Sequence, residues 1–161
     1  MEIPRRRVHN RRSVSAVSEF GRLSHQKLPP SASSIHPTMS AQHNKVFWLE
    51  CDGDVLIVVP QGDANGFRYH DVHQESNVTL QVLDDPALKH VVIDFGCEQM
   101  LGSIIISVII KVCRKVGLKG GKAAFCNASP DMQEVLQTMN LTKMWNYHPT
   151  RAEAIAAVRA G

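Results

Sequence analysis

The sequence predicts an α/β domain: a mixed β-sheet with packed helices, in the order β-β-α-β-α-β-α-β-α. Three observations carry that expectation. Short β-rich runs, among them Val55-Leu56-Ile57-Val58-Val59 and Val91-Val92-Ile93, alternate with longer helical segments from Lys45 onward. Helix starts are marked by Ser129-Pro130-Asp131 and by the capping box Thr150-Arg151-Ala152-Glu153. The chain is 161 residues long and 43% hydrophobic, which suits one core of about 120 residues and a tail.

Taken in order, Val46 to Glu50 and Val55 to Val59 read as strands, and the Asp52-Gly53 pair between them signals a tight hairpin. Residues 61–66, Gln-Gly-Asp-Ala-Asn-Gly, form a loop whose two glycines lack dinucleotide or P-loop spacing, so no nucleotide site is expected there. Phe67 to Leu83 is polar with apolar residues at Val72, Leu80 and Leu83, the pattern of a helix, and Asp84-Asp85-Pro86 turns the chain. Lys89 to Phe95 reads as a buried strand. Ser103 to Val116 is pulled two ways. Its three consecutive isoleucines favour strand, whereas its length and the terminal Lys111, Arg114 and Lys115 favour a helix with a complemented dipole. Being apolar nearly all round, it is expected to be a buried helix. Gly120-Gly121 is a turn, Lys122 to Asn127 a strand, and Met144 to Tyr147 a last short strand before the alanine-rich terminal helix.

Composition narrows the function classes. The longest apolar run, Ile104 to Val112, is broken by Lys111 and falls short of the ~20 residues that span a bilayer. Cys51, Cys97, Cys113 and Cys126 are far apart with no CxxC pair, as in interior thiols of a cytoplasmic protein. Residues 1–40 hold seven basic and two acidic residues, net +5, and residues 41–161 hold eleven and thirteen, net −2. The domain 41–161 therefore offers no basic stripe interleaved with aromatics for nucleic acid. The 1–40 segment is arginine- and serine-rich and is expected to be a disordered tail. Its Arg5-Arg6-Arg7 and Arg11-Arg12 clusters suit phosphates or anionic lipid and resemble a transit peptide. Alternatively, Met39 is the true start. No secretory signal is recognisable.

Ser103 is the residue with the most chemical potential. A serine at the mouth of a helix faces unpaired amides and the positive end of the dipole. It acts either as a plain helix cap or as a phosphorylation switch, since phosphate adds a charge of about −1.5 to −2. A nucleophilic role lacks a Gly-x-Ser-x-Gly elbow, and His90 is expected at the far end of the sheet. His70 and His73 flank Asp71 without a third metal ligand. No metal or cofactor is expected, and Cys126, Trp145 and Tyr147 read as packing residues.

Several of these pieces together resemble the STAS domain, the fold of bacterial anti-sigma factor antagonists, across Lys45 to Val158. Val92-Ile93-Asp94 ends a strand eight residues before Gly102-Ser103. Gly120-Gly121 precedes the strand ending in Cys126-Asn127-Ala128-Ser129-Pro130. Val135-Leu136, Met139-Asn140-Leu141, Tyr147 and Glu153-Ala154 follow in the family's order. The resemblance implies a non-enzymatic interaction module in which Ser103 is the phosphoacceptor. It implies as partner an anti-sigma factor, a serine kinase of the histidine-kinase-like ATPase type, with a PP2C-type phosphatase as a further partner. The partner surface it implies comprises Gly62, Asp63, Asn65, Gly102, Ile104 and Ile105. Three departures stand out: Gly102 replaces the family's aspartate, Ile104 and Ile105 replace a small residue and a glycine, and Asn65 replaces a loop acid for which Asp63 is the nearest substitute. Some STAS domains are not phosphorylated and serve as accessory subunits of transport or signalling complexes, which is the alternative.

Overall fold

The structure is a computed structural model, and it describes residues 45–61, 68–97 and 101–160. All of these lie in the compact unit Met39–Gly161. The expected 1–40 tail and the loop 62–67 lie outside the described residues.

Two strands, β1 (Phe47–Asp52) and β2 (Val55–Pro60), form an antiparallel hairpin in which Asp52 pairs with Val55. Gly53 takes the first central position of the turn at φ +56, as a primed hairpin turn requires. The chain continues through α1 (Tyr69–Val82), β3 (His90–Asp94), α2 (Ser103–Leu118), β4 (Ala123–Cys126), α3 (Pro130–Thr138), α4 (Leu141–Met144), β5 (Asn146–His148) and α5 (Arg151–Arg159). The five strands lie in the order β1-β2-β3-β4-β5, with β2 to β5 mutually parallel. The expected mixed sheet and helix order are therefore present, with one addition. Met144 closes the short helix α4 instead of opening a strand. Asn140, at φ +56, turns the chain directly from α3 into α4.

The sheet has two unequal faces because side chains alternate along each strand. Leu56, Val58, Val91, Ile93 and Phe125 face a large core made with α1, α2, α3 and α4. Val55, Ile57, Val59, Val92, Ala124 and Cys126 face a smaller one closed by Ala154, Ile155 and Val158 of α5. Strands buried on both faces explain why β2 and β3 read as unbroken apolar runs. Gly121 lets β3 and β4 start side by side, since a Cβ there would lie 1.7 Å from the Lys89 carbonyl oxygen.

The isoleucine run is helical, so tertiary burial overrides β-propensity. Ile105, Ile106, Val108, Ile109, Val112, Cys113 and Val116 face the core. The helix is not buried all round, however. Ser103, Ile104, Ser107, Lys111, Arg114 and Leu118 are exposed on its outer side. The cysteines also divide. Cys113 and Cys126 are buried, whereas Cys51 and Cys97 are exposed and correct the expectation of four interior thiols. No helix among the described residues is long and apolar enough to cross a membrane.

Candidate functional site at the carboxyl edge of the sheet

Parallel strands deliver their following loops to one edge, and in open α/β sheets that edge is where binding sites are built. Here β2, β3 and β4 bring together residue 61, residues 95–97 with the start of α2, and residues 127–129. The Cys97 thiol lies 3.7 Å from the Gln61 side-chain oxygen. That contact sets the root of the 62–67 loop against the root of the β3–α2 connection. Gly62, Asp63 and Asn65 themselves lie outside the described residues.

Ser103 occupies the first turn of α2 and is exposed. Gly102, the N-cap, offers no side-chain cap, and the first turn contains no acidic residue. By contrast, Ser129 caps α3 and Thr150 caps α5, each through its side-chain oxygen. The Gly102 carbonyl accepts from the Ile105 and Ile106 amides at 3.0 and 3.2 Å, which begins the helical ladder. Among the described residues, a Cβ at Gly102 would meet nothing within 4 Å. Ile104 is 44% exposed beside Ser103, whereas Ile105 is 6% exposed and packs into the large core. Of the two isoleucines, only Ile104 presents its side chain at the rim. The hydroxyl of Ser107, one turn on, donates to the Ser103 carbonyl at 2.8 Å.

Sequence reasoning missed the charged group beneath this edge. The Asp94 side chain is 3% exposed. One of its oxygens accepts from the Gly96 amide at 2.9 Å and from the Asn127 side-chain amide at 2.8 Å. The other accepts from Nε of Arg151 at 2.6 Å, and Arg151 also donates to Glu50 at 3.0 Å. Partial burial works to lower the Arg151 pKa, but the Asp94 hydrogen bond, with the Asp94 and Glu50 charges, outweighs it and raises it. Asp94 thus ties the ends of β3 and β4 to the start of α5. An aspartate closing the Val-Val-Ile run was the visible signal, but its partner Arg151 is 57 residues away.

Other candidates resolve into structure. Tyr69 and His73 stack edge to face at 4.2 Å, His70 is exposed, and the described residues hold no cluster of three metal-ligating side chains. His90 sits at the amino end of β3, away from Ser103, accepting from the Lys122 amide at 3.1 Å. Trp145 stacks on Phe125, and the Tyr147 hydroxyl accepts from Gln133 at 3.0 Å. Burial, reinforced by Asp94 and opposed by Arg151, pushes the Cys126 thiol up to about 12, which makes it inert.

A mixed sheet with α5 on one face, and α2 opening on an exposed serine at its edge, is the plan of a STAS domain. The chain belongs to that family: the family model described as STAS domain matches residues 47–154. Among solved structures, it is similar to an anti-sigma-factor antagonist (STAS) domain protein from Planctomyces limnophilus, at 22% identity and TM-score 0.60, covering 70% of this chain and 97% of that one. It is similar to the anti-sigma factor antagonist SpoIIAA in its unphosphorylated form, at 20% identity and TM-score 0.59, covering 72% and 98%. It is also similar to the Bacillus cell fate determinant SpoIIAA in the phosphorylated form, at 22% identity and TM-score 0.54, covering 71% and 100%. No curated protein matches the sequence.

Proposed function

We propose that this protein is a binding module of the anti-sigma factor antagonist type, switched by phosphorylation of Ser103. Its partner is an anti-sigma factor that is itself a serine kinase of the histidine-kinase-like ATPase type, and a PP2C-type phosphatase resets it. The carrying observation is the exposed Ser103 in the uncapped, acid-free first turn of α2. A phosphate there is favoured by the helix dipole and by open amides, so the fold tolerates it. The partner meets a bare rim made by Gly102 and Ile104, together with the loop bearing Gly62, Asp63 and Asn65. A charge placed in that interface must be desolvated without a counterion, so phosphorylation releases the partner. The solved phosphorylated and unphosphorylated forms of the similar SpoIIAA support this reading.

The test is direct. Full-length protein is incubated with ATP and each ATPase-type serine kinase encoded in the same genome, and phosphate is mapped by mass spectrometry. Modification confined to Ser103 is expected. A partner that binds equally well to Ser103→Asp and Ser103→Ala, with no phosphate at Ser103, overturns the switch. The second reading, an accessory subunit that binds constitutively, is favoured by Gly102 standing where the family's aspartate precedes the serine.

A further inference from the structure

We propose that the whole outer face of α2, from Ser103 through Ser107, Lys111 and Arg114 to Leu118, docks an acidic amphipathic segment of a partner protein. This rests on the interaction-module reading but extends it along the helix. At 1.5 Å per residue the face runs about 22 Å, four turns of a partner helix. Its residues recur at three- and four-residue spacing, so they form one stripe.

The sign of the charge selects the partner. Residues 41–161 hold eleven basic and thirteen acidic residues, yet residues 99–130 hold Lys111, Arg114, Lys115, Lys119 and Lys122 and no acid. Two of these five have work inside the fold. Lys115 pairs with Asp84 at 2.6 Å and donates to the Leu80 carbonyl. Lys119 donates to the carbonyls of Leu83, Asp85 and Leu88. No carboxylate among the described residues comes within 4.0 Å of Lys111 or Arg114. Both point outward on the stripe, offering unneutralised cations to a carboxylate-bearing surface.

Apolar groups frame the cations. Ile104 is 44% exposed at one end of the stripe and Leu118 is 90% exposed at the other. Cations in the middle and apolar contacts at both ends fit a helix with glutamates between leucines.

The experiment uses isotope-labelled full-length protein and a synthetic 20-residue amphipathic helix whose binding face carries central glutamates flanked by leucines at both ends. Amide shifts at Ser107, Lys111, Arg114 and Leu118 are expected. The Lys111→Gln/Arg114→Gln double variant should weaken binding at least tenfold and flatten its salt dependence while the protein stays folded by its melt, and Leu118→Ser should weaken it severalfold. The 1–40 segment is identical in every variant, so its charge cancels. Equal affinity for wild type and the double variant overturns the stripe. So does stripe-dependent binding to vesicles of phosphatidylcholine and phosphatidylserine at 7:3 without peptide binding, which assigns the face to membrane. If no kinase modifies Ser103 but the peptide still maps to α2, the stripe stands and the phosphorylation switch falls. If a kinase modifies Ser103 and binds the stripe variants like wild type, the switch stands and the stripe falls.

Discussion

The Asp94 carboxylate, 3% exposed, receives donors from Gly96, Asn127 and Arg151. Removing Arg151 leaves a buried carboxylate short of one charge-assisted bond, so Arg151→Ala should cost about 2–3 kcal/mol by denaturant unfolding. Arg151→Lys should recover part of that, because an ammonium makes only a point contact where Arg151 reaches both Asp94 and Glu50. Thiol accessibility gives a second check. Native protein treated with a maleimide at neutral pH should label at Cys51 and Cys97, and at Cys113 and Cys126 only after unfolding, as read by peptide mass spectrometry. A third concerns acid. Desolvation pushes the Asp54 carboxyl up, but its hydrogen bond with Arg159, its backbone hydrogen bond and the charges of His90 and Arg159 outweigh that and hold it below the ordinary aspartate value. A lowered folded-state pKa gives stability that is present above the unfolded value and lost as pH falls through the folded one. The stability difference between wild type and Asp54→Asn should therefore be largest near neutrality and vanish in strong acid. Little of the Asp94 cluster was legible beforehand, because an ion pair between residues 94 and 151 depends on the fold and not on local spacing.

Among the elements, α2 tests sequence reasoning most severely. Its helical state and its start at Ser103 were legible from length, the glycine before it and the basic residues at its end. Its exposed face was not. Consecutive isoleucines hide the amphipathic period, and Ile104 falls outward while Ile105 and Ile106 fall inward. The short α4 was missed for a related reason, since four residues are too few to show a helical period. The hairpin β1–β2 was read correctly because the Asp-Gly signal is local. For α2, Gly102→Asp adds an N-cap acceptor and an acid where no described residue lies within 4 Å of a Cβ, so it should stabilise the domain by a few tenths of a kcal/mol. A thermal melt reads that increment, and a loss would mean that the first turn is not open. Gly121→Ala should cost more than about 2 kcal/mol, because its Cβ would displace the Lys89 carbonyl.

At the scale of the molecule, one sheet carries two cores, with the candidate site at its carboxyl edge. The alternation of strand and helix signals made that plan legible, and the core residues among those described run from Val46 to Val158. A chain beginning at Met39 is therefore expected to melt within a few degrees of the full chain. A larger drop would show that residues before Met39 support the domain. The proposed switch makes partner affinity, and not the fold, depend on charge at Ser103. Isothermal titration of the ATPase-type kinase partner against wild type, Ser103→Ala and Ser103→Asp, with melts of all three, measures it most directly. Similar melting is expected for all three proteins, with wild-type affinity for Ser103→Ala and at least tenfold weaker binding for Ser103→Asp. Equal affinities across the three would contradict the switch and leave Ser103 as the opening residue of a helix in a constitutive binding subunit.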